Sequence, residues 1–192
     1  MRATPNFTGR RAIVLHRPDQ GIERLARQLV RLGLTVDVRW QPLGPDEACD
    51  VVLVDADQGW NGLLPWEGDG PVPVVALLGS EAPGRIAWAM EAGALAVIAK
   101  PIAASAVYPA LVMATALHAE RRSLAVRLAG LEERIRMRPL VHAGVRAIMA
   151  ARDLAEEDAY RLLRATAMRR RLTVEQVAAD IVAGAEPLPE AG

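Results

Sequence analysis

Several residue types are scarce in this chain of 192 residues. It has one cysteine, Cys49, which excludes an internal disulfide and is typical of a reducing compartment. Aromatic residues make up 4% of the sequence, so the hydrophobic fraction of 52% predicts a core of aliphatic side chains. No apolar run reaches the ~18 residues that a membrane span needs, and no signal-peptide pattern is present. These features predict a cytoplasmic protein without membrane contact.

Lysine is also scarce, because Lys100 is the single lysine among 23 basic residues. A GC-rich coding sequence produces the same bias, so the excess of arginine does not by itself indicate RNA binding. Charge is distributed unevenly: residues 1–120 hold 10 basic and 13 acidic groups, whereas residues 121–192 hold 13 and 10. A nucleic-acid partner would therefore meet the C-terminal part, although an ordinary solvated helical surface carries similar charge.

The residue patterns of a catalytic centre are missing as well. The three histidines, His16, His118 and His142, fall on separate predicted elements. The sequence has no glycine-rich phosphate loop, no Cys/His spacing of a metal site and no recognisable Ser/His/Asp set. We therefore expect no enzymatic activity, no catalytic residue, no cofactor and no metal ligands.

Short apolar runs alternate with amphipathic segments over the first hundred residues. The predicted strands are 12–15, 35–38, 50–55, 72–78 and 94–99, and the predicted helices are 22–32 and 86–90. This alternation predicts a parallel sheet with helical crossovers. The segment 58–70 is rich in Gly, Pro and Trp, and we expect a short or irregular helix there in place of a regular third helix. Residues 1–9 are predicted to be a loose tail.

Residues 103–138 have the pattern of one long helix. Apolar residues recur at spacings of three and four, as in the seam of a short coiled coil: Ala114, Leu117, Leu124, Leu128, Leu131 and Ile135. The seam predicts a homodimer; the alternative is that the stripe packs back on the chain's own sheet. Pro139 is expected to break or kink the helix after the seam.

Three short amphipathic helices are predicted between residues 141 and 182, and none can bury its apolar face alone. Asp153 is a candidate cap for the second of them. Thr173 and Gln176 have the spacing of a capping box for the third. After Gly184 the tail is predicted to be disordered.

This C-terminal stretch resembles the ANTAR domain, an RNA-binding output module of transcription antitermination regulators. The resemblance lies in Met149, Ala159-Tyr160, Leu163-Arg164, Ala167-Met168 and Val177-Ala178, at that family's spacing. Where the family usually places Ala-Lys-Gly, this chain has Gly144, Val145 and Arg146. The resemblance implies RNA-binding residues, and our candidates are Arg146, Tyr160, Arg161, Arg164, Met168, Arg169 and Arg170. The alternatives are ordinary surface charge for the arginines and burial between helices for Tyr160.

The N-terminal part resembles a response-regulator receiver domain, which implies strand order 2-1-3-4-5 and a site at the carboxyl ends of the strands. Asp55 matches the phosphorylated aspartate, and Lys100 matches the lysine of the receiver's Lys-Pro pair. His16 and Arg17 stand where receivers carry the acidic residues that hold Mg²⁺, and Leu78 replaces the hydroxyl residue. We therefore expect a degenerate phosphoacceptor pocket in which Asp55 and Lys100 form a structural ion pair. Pairing of Arg17 with Asp55 is an alternative.

Together these patterns predict an α/β flavodoxin-like receiver domain followed by a coiled-coil helix and a small all-α domain. The predicted boundaries are 8–104, 105–138 and 139–185, with a tail at 186–192.

The resemblance to amidase-operon antiterminators implies a regulator that binds leader RNA as a homodimer. It also implies control by a ligand-sensing negative regulator built like a periplasmic amide-binding protein, and not by phosphorylation. The alternatives are a phosphorylation-controlled regulator of DNA and a dimeric interaction module without nucleic acid.

Overall fold

The computed structural model describes residues 5–185. The chain divides into two compact units, Met1–Arg122 and Ser123–Gly192. In the described range, no helix combines the length and the apolar character that crossing a membrane requires.

The N-terminal unit is built on a five-stranded parallel sheet. Its strands are β1 Arg11–Leu15, β2 Thr35–Arg39, β3 Val51–Asp55, β4 Val74–Leu78 and β5 Ala94–Ala99. They follow the order β2-β1-β3-β4-β5, so the predicted flavodoxin-like fold is confirmed. All five residues of β3 are buried, as a central strand covered on both faces requires.

One face of the sheet is covered by two helices, α1 Gln20–Arg31 and the beginning of α3 Ala104–Arg152. Leu29 of α1 and Leu111 of α3 are fully buried in the same cluster as Leu53 of β3. Asp19 is the N-cap of helix α1, and its side chain accepts the backbone N–H of Ile22.

The opposite face is covered by α2 Pro83–Glu91 and by residues 56–73, which we call the insert. As predicted, residues 56–73 contain no regular helix, but the short or irregular helix expected there is absent too. The insert instead buries Leu63 and Leu64 against the sheet. Within the insert, the carbonyl oxygen of Leu63 accepts the backbone N–H of Leu43, and the backbone N–H of Gly68 donates to the carbonyl oxygen of Glu91. Glycine is required at Gly93, because φ is +77° and a Cβ there would lie 1.9 Å from the carbonyl oxygen of Gly68.

The insert is also bonded to α3. The Arg121 guanidinium lies 2.6 Å from the Asp69 carboxylate, and Nε2 of His118 lies 3.1 Å from the carbonyl oxygen of Gly70. The imidazole therefore donates at Nε2, because a carbonyl oxygen can only accept.

The C-terminal unit contains the end of α3, then α4 Glu156–Arg170 and α5 Val174–Val182. These three segments bury one small apolar core. Its buried members are Val145, Ile148, Ala159, Leu163, Ala167, Val177, Ala178 and Ile181. The predicted capping box is confirmed, because Thr173 and Gln176 bond each other's backbone N–H groups at the start of α5.

The predicted helix break at Pro139 is wrong. Helix α3 runs from Ala104 to Arg152 without interruption. Proline removes one intrahelical hydrogen bond, and Pro139 lies at an exposed position of the helix. Packing fixes the helix before and after it, through Leu111 in one core and Ile148 in the other. The burial of these faces outweighs the local cost of proline.

The predicted cap at Asp153 is also wrong. Because α3 extends to Arg152, Asp153 is used in the turn that ends this helix, where its φ is 52°. Ala155 stands at the N-cap of α4 and supplies no side-chain cap. Three acidic residues in the first turn of α4 favour its N-terminal dipole in place of a cap.

The loose tail predicted at the N-terminus is wrong for Phe7. This ring is 2% exposed and packs edge-on against Tyr108 of α3, with 6.1 Å between the ring centres. Aromatic edge contacts of this kind add to the stabilisation from burial. Residues 1–4 and the C-terminal tail at 186–192, predicted to be disordered, lie outside the described residues.

The apolar seam of α3 divides into two parts. Ala114 is fully buried in the sheet's core, so its assignment to the seam is wrong. The remaining members are exposed by 40–63%, and they are Leu117, Leu124, Leu128, Leu131 and Ile135. The alternative that the whole stripe packs on the chain's own sheet is therefore wrong, and α3 presents an uncovered heptad face.

Gly144 yields the first testable prediction. A Cβ at this position of α3 would lie 3.0 Å from Cβ and 3.1 Å from Cα of Ala178, in the core of the C-terminal unit. We expect Gly144→Val to lower the free energy of unfolding by about 2 kcal/mol through overpacking. Ala143→Val, at the exposed neighbouring position, is the control. Equal loss from both substitutions in urea unfolding would contradict the close packing.

Candidate functional site

The degenerate phosphoacceptor pocket lies at the carboxyl ends of β3 and β5. Nζ of Lys100 is 2.8 Å from Oδ1 of Asp55 and 3.0 Å from Oδ2 of Asp57. The same Oδ1 atom of Asp55 accepts the backbone N–H of Asp57 at 3.0 Å. The Asp55 side chain is 1% exposed, so the structure contains the buried ion pair that the sequence predicts.

His16, at the end of β1, contacts the other oxygen of this aspartate. Its Nε2 lies 3.2 Å from Oδ2 of Asp55, and its Nδ1 lies 2.7 Å from the carbonyl oxygen of Arg17. Nδ1 must donate, because the carbonyl can only accept. His16 is itself buried, so its imidazole ring packs against the carboxylate inside the pocket. The third predicted member, Arg17, does not reach Asp55.

Arg17 instead places its guanidinium over the indole ring of Trp40, 5.9 Å from the ring centre. The alternative that Arg17 pairs with Asp55 is wrong, because His16 and Lys100 already occupy both carboxylate oxygens. Arginine stacks readily on an aromatic face, which fixes its long side chain outside the pocket.

Asp57 is a pocket residue that the sequence reasoning missed. Burial raises the pKa of Asp57, but hydrogen bonds from Lys100 and from the backbone N–H of Gly79 outweigh it and hold that pKa below its ordinary value. Leu78 ends β4 half-buried, and its carbonyl oxygen accepts the backbone N–H of Lys100. The available signal for Asp57 was that it lies two residues after Asp55, at the same end of β3.

This donor set does not fit Mg²⁺, the metal of receiver domains. Mg²⁺ takes oxygen ligands in octahedral geometry. Here Lys100 is bonded to the carboxylates of both Asp55 and Asp57. The side chain beside the second oxygen of Asp55 is His16, which offers nitrogen atoms in place of oxygen ligands. Within residues 5–185 no group of three or more metal-ligating side chains is assembled.

A second candidate site is a groove in the C-terminal unit with a volume of about 1260 Å³. One wall is α4, which presents Tyr160, Arg164 and Met168 at successive intervals of four residues. Residues four apart share a helix face. Tyr160 is 44% exposed and Met168 71%. The alternative that Tyr160 is buried between helices is wrong.

The other wall of the groove is α3, which presents Arg134, Arg138 and His142 at the same interval of four. These three residues were missed by the sequence reasoning. The interval itself was the available signal, but the predicted break at Pro139 separated His142 from the two arginines. Residues 173–176 at the start of α5 close one end of the groove.

The groove has an amphipathic lining. Three arginines, at positions 134, 138 and 164, stand against Glu133 and Glu175. Two members of the seam, Leu131 and Ile135, also line it. A cavity with one exposed aromatic ring and several guanidinium groups can hold an unpaired base by stacking and its phosphates by charge.

Four predicted RNA-binding residues lie outside this groove. Arg161 is 2.6 Å from Asp158 and 3.9 Å from Glu157 on its own helix. Arg169 donates to Oγ1 of Thr166. Arg146 and Arg170 are exposed on α3 and α4. In the turn where the family has Ala-Lys-Gly, Gly144 and Val145 are buried, and Arg146 is the exposed residue.

Two family models match the chain. The first is described as AmiR, N-terminal, and matches residues 10–115, more than half of the chain. The second is described as the ANTAR domain and matches residues 129–182.

Two curated relatives are similar to this chain. The chain is 28% identical over 180 residues to the aliphatic amidase regulator of Pseudomonas aeruginosa, which covers 91% of each chain. It is 31% identical over 106 residues to the transcriptional regulatory protein PdtaR of Mycobacterium tuberculosis, covering 55% of this chain and 52% of that protein.

A solved structure of the response regulator StyR resembles this chain in fold. It covers 92% of this chain and 100% of StyR at 16% identity, with a TM-score of 0.52. The similarity at this level concerns architecture alone. Taken with the match over residues 10–115, the parallel sheet and the three-helix module that follows it, this chain belongs to the AmiR family and carries an ANTAR domain.

Proposed function

We propose that this chain is a transcription antitermination regulator that binds stem-loops in a leader RNA and has no catalytic role. The observation that carries the proposal is the groove between α3 and α4. It brings Tyr160 and Arg164 of the ANTAR region opposite Arg134 and Arg138. Resemblance of the C-terminal unit to RNA-binding ANTAR modules supports the same conclusion.

The shape of the groove favours an unpaired base over duplex DNA. Direct reading of a duplex inserts a protruding helix into the major groove, whereas here Tyr160 stands beside Arg164 along a concavity. Single-stranded loops splay their bases onto aromatic and guanidinium planes. In this proposal Tyr160 stacks on a loop base, Met168 packs beside it, and the arginines bind the flanking phosphates.

The remaining candidates have a weaker place in this proposal. Arg161 is held by two carboxylates, which offset its charge. Arg146, Arg169 and Arg170 add to the positive field of the C-terminal part, which draws RNA towards the groove at low salt.

Control is proposed to come from a ligand-sensing partner protein and not from phosphorylation. Transfer to Asp55 would require an accessible carboxylate and a cation for the phosphoryl oxygens. Asp55 is 1% exposed, and Lys100 and His16 contact its two oxygens. Nitrogen atoms of two side chains thus lie against both carboxylate oxygens of Asp55, which supports control through contact with another protein.

The dimer is proposed to form along the exposed seam of α3. Leu124, Leu128, Leu131 and Ile135 repeat at intervals of four, three and four residues. Each is at least half exposed in the single chain. Burying such a stripe against a second copy removes apolar surface from water at both helices. Two copies would present two grooves, which fits recognition of paired stem-loops.

Arg164 gives the test of RNA binding. We expect Arg164→Ala to weaken binding of the purified protein to the leader RNA of its own operon about tenfold, because one guanidinium contact is lost. Arg161→Ala on the same helix removes the same charge but lies outside the groove, so it is the matched control. Filter binding or anisotropy at fixed salt measures both.

Equal weakening by both substitutions would show that only net charge matters. Tighter binding of the wild-type protein to duplex DNA of the same sequence would favour the DNA-binding alternative. Absence of binding to either nucleic acid by a folded dimer would favour an interaction module.

The filled pocket around Asp55 gives a second test. Acetyl phosphate and Mg²⁺ are expected to leave the intact mass of the protein unchanged, because no oxygen of Asp55 is accessible. A receiver domain with an intact acidic pair, treated in parallel, is the positive control. A phosphoryl adduct that disappears in Asp55→Asn would contradict the proposed mode of control.

The seam gives a third test. We expect Leu124→Lys with Leu128→Lys to raise the dimer dissociation constant by about 100-fold, because charged groups replace buried leucines. Val126→Lys is the control, because Val126 is 72% exposed on α3 but lies off the seam. Sedimentation velocity measures both proteins. An unchanged dimer in the double variant would contradict the assignment of the seam.

A further inference from the structure

The insert of the N-terminal unit encloses a pocket that neither RNA binding nor dimerisation uses. Its volume is about 620 Å³, which falls in the range of small-molecule sites, roughly 300–1,000 Å³. Three of the chain's four tryptophans line it, namely Trp60, Trp66 and Trp88. In a chain with 4% aromatic residues, this concentration of indole rings in one cavity is a feature of its own.

The indole rings are held in place by close packing. A Cβ at Gly59 would lie 2.3 Å from the Trp88 ring, and one at Gly70 would lie 2.2 Å from Nε1 of Trp66. The backbone of the insert therefore passes directly over both rings, and only glycine permits that approach. The third ring, Trp60, packs edge-on against Trp40, with 4.8 Å between the ring centres. These contacts build a fixed aromatic wall.

The charged residues in the lining are all acidic. Glu67 of the insert and Glu91 at the end of α2 contribute carboxylates, Asn61 contributes an amide, and no Lys, Arg or His is among the lining residues. Indole faces carry partial negative charge and attract cations, and tryptophan does so most strongly among aromatic residues. Aromatic faces and carboxylates in one cavity therefore select the same kind of ligand.

We propose that this pocket is a binding site for a small organic cation, an alkylammonium or guanidinium group carrying an apolar body. The cationic group lies against the indole faces and pairs with Glu67 and Glu91, and the apolar body fills the side formed by Leu43, Leu64 and Pro65. The proposal does not rest on RNA binding, because every residue involved belongs to the N-terminal unit.

The indole N–H resonances of the full-length protein test this proposal. The chain has four tryptophans, so the nitrogen–proton correlation spectrum contains four indole signals that can be assigned by substitution. The probe is benzylammonium chloride, and benzyl alcohol is its neutral counterpart of similar shape. We expect saturable shifts of the Trp60, Trp66 and Trp88 signals with the cation, and binding of the alcohol about tenfold weaker.

Substitution of the carboxylates supplies the matched comparison. Glu67→Gln with Glu91→Gln is expected to weaken binding of benzylammonium about tenfold and to leave binding of the alcohol unchanged. Glu23→Gln with Glu81→Gln makes the same charge change at exposed positions outside the pocket and is expected to bind as the wild type does. All four substitutions replace exposed carboxylates by amides of the same shape, which preserves the fold.

Three results would overturn the proposal. The first is absence of a saturable shift with the cation. The second is equal affinity for benzylammonium and benzyl alcohol, which would indicate an apolar pocket without preference for charge. The third is equal loss of cation binding in both double variants, which would indicate a general effect of net charge.

Discussion

The continuity of helix α3 is the constraint on which the other features of this protein depend. One helix of 49 residues buries Val107 and Leu111 in the core of the sheet and Val145 and Ile148 in the core of the C-terminal unit. Between these buried ends it exposes the seam. A break at Pro139 would separate His142 from Arg134 and Arg138 on the α3 wall of the groove. The burial at both ends is what makes Pro139 tolerable.

The receiver-like unit keeps the fold of a phosphorylated switch but has replaced the charges that operate it. In a working receiver, acidic residues hold a metal that offsets the phosphoryl oxygens. Here Lys100 pairs directly with Asp55 and His16 packs against its second oxygen, so the carboxylate has its countercharge within the protein. Breaking such a buried pair leaves an uncompensated charge, which is strongly unfavourable. This geometry supports the proposal that control acts through another surface of the protein.

The sequence predicted the elements whose pattern is local. The strands and the capping box of Thr173 and Gln176 follow from hydrophobic runs and from a fixed spacing, and the structure contains them. The strand order was implied by the resemblance to receiver domains, and it is also present. The errors came from tertiary contacts. Pro139 is tolerated because distant residues hold the helix, and Phe7 is ordered because Tyr108 lies nearby in space. Neither the packing that holds the helix around Pro139 nor the contact of Phe7 with Tyr108 has a signature in the adjacent residues.

The candidate sites likewise divide into parts that the sequence predicted and parts that depend on tertiary contacts. The ion pair of Asp55 and Lys100 was predictable from the resemblance to receiver domains, because the two residues stand at the carboxyl ends of β3 and β5, on the same edge of the parallel sheet. The groove was only half predictable. Tyr160, Arg164 and Met168 were identified through the family's spacing. Arg134 and Arg138 were missed, because the helix that carries them was predicted to break or kink at Pro139 before it reached the C-terminal module. The tryptophan pocket required the structure, since its lining comes from residues 43 to 92.

The central claim is that the protein prevents termination by acting on leader RNA, and single-round transcription tests it most directly. The template carries the leader and terminator of the protein's own operon, and the measured quantity is the fraction of transcripts that extend past the terminator. The account predicts that the wild-type protein raises this fraction and that deletion of the leader stem-loops abolishes the effect. An unchanged fraction with folded, dimeric protein, or an equal rise on the deleted template, would contradict it.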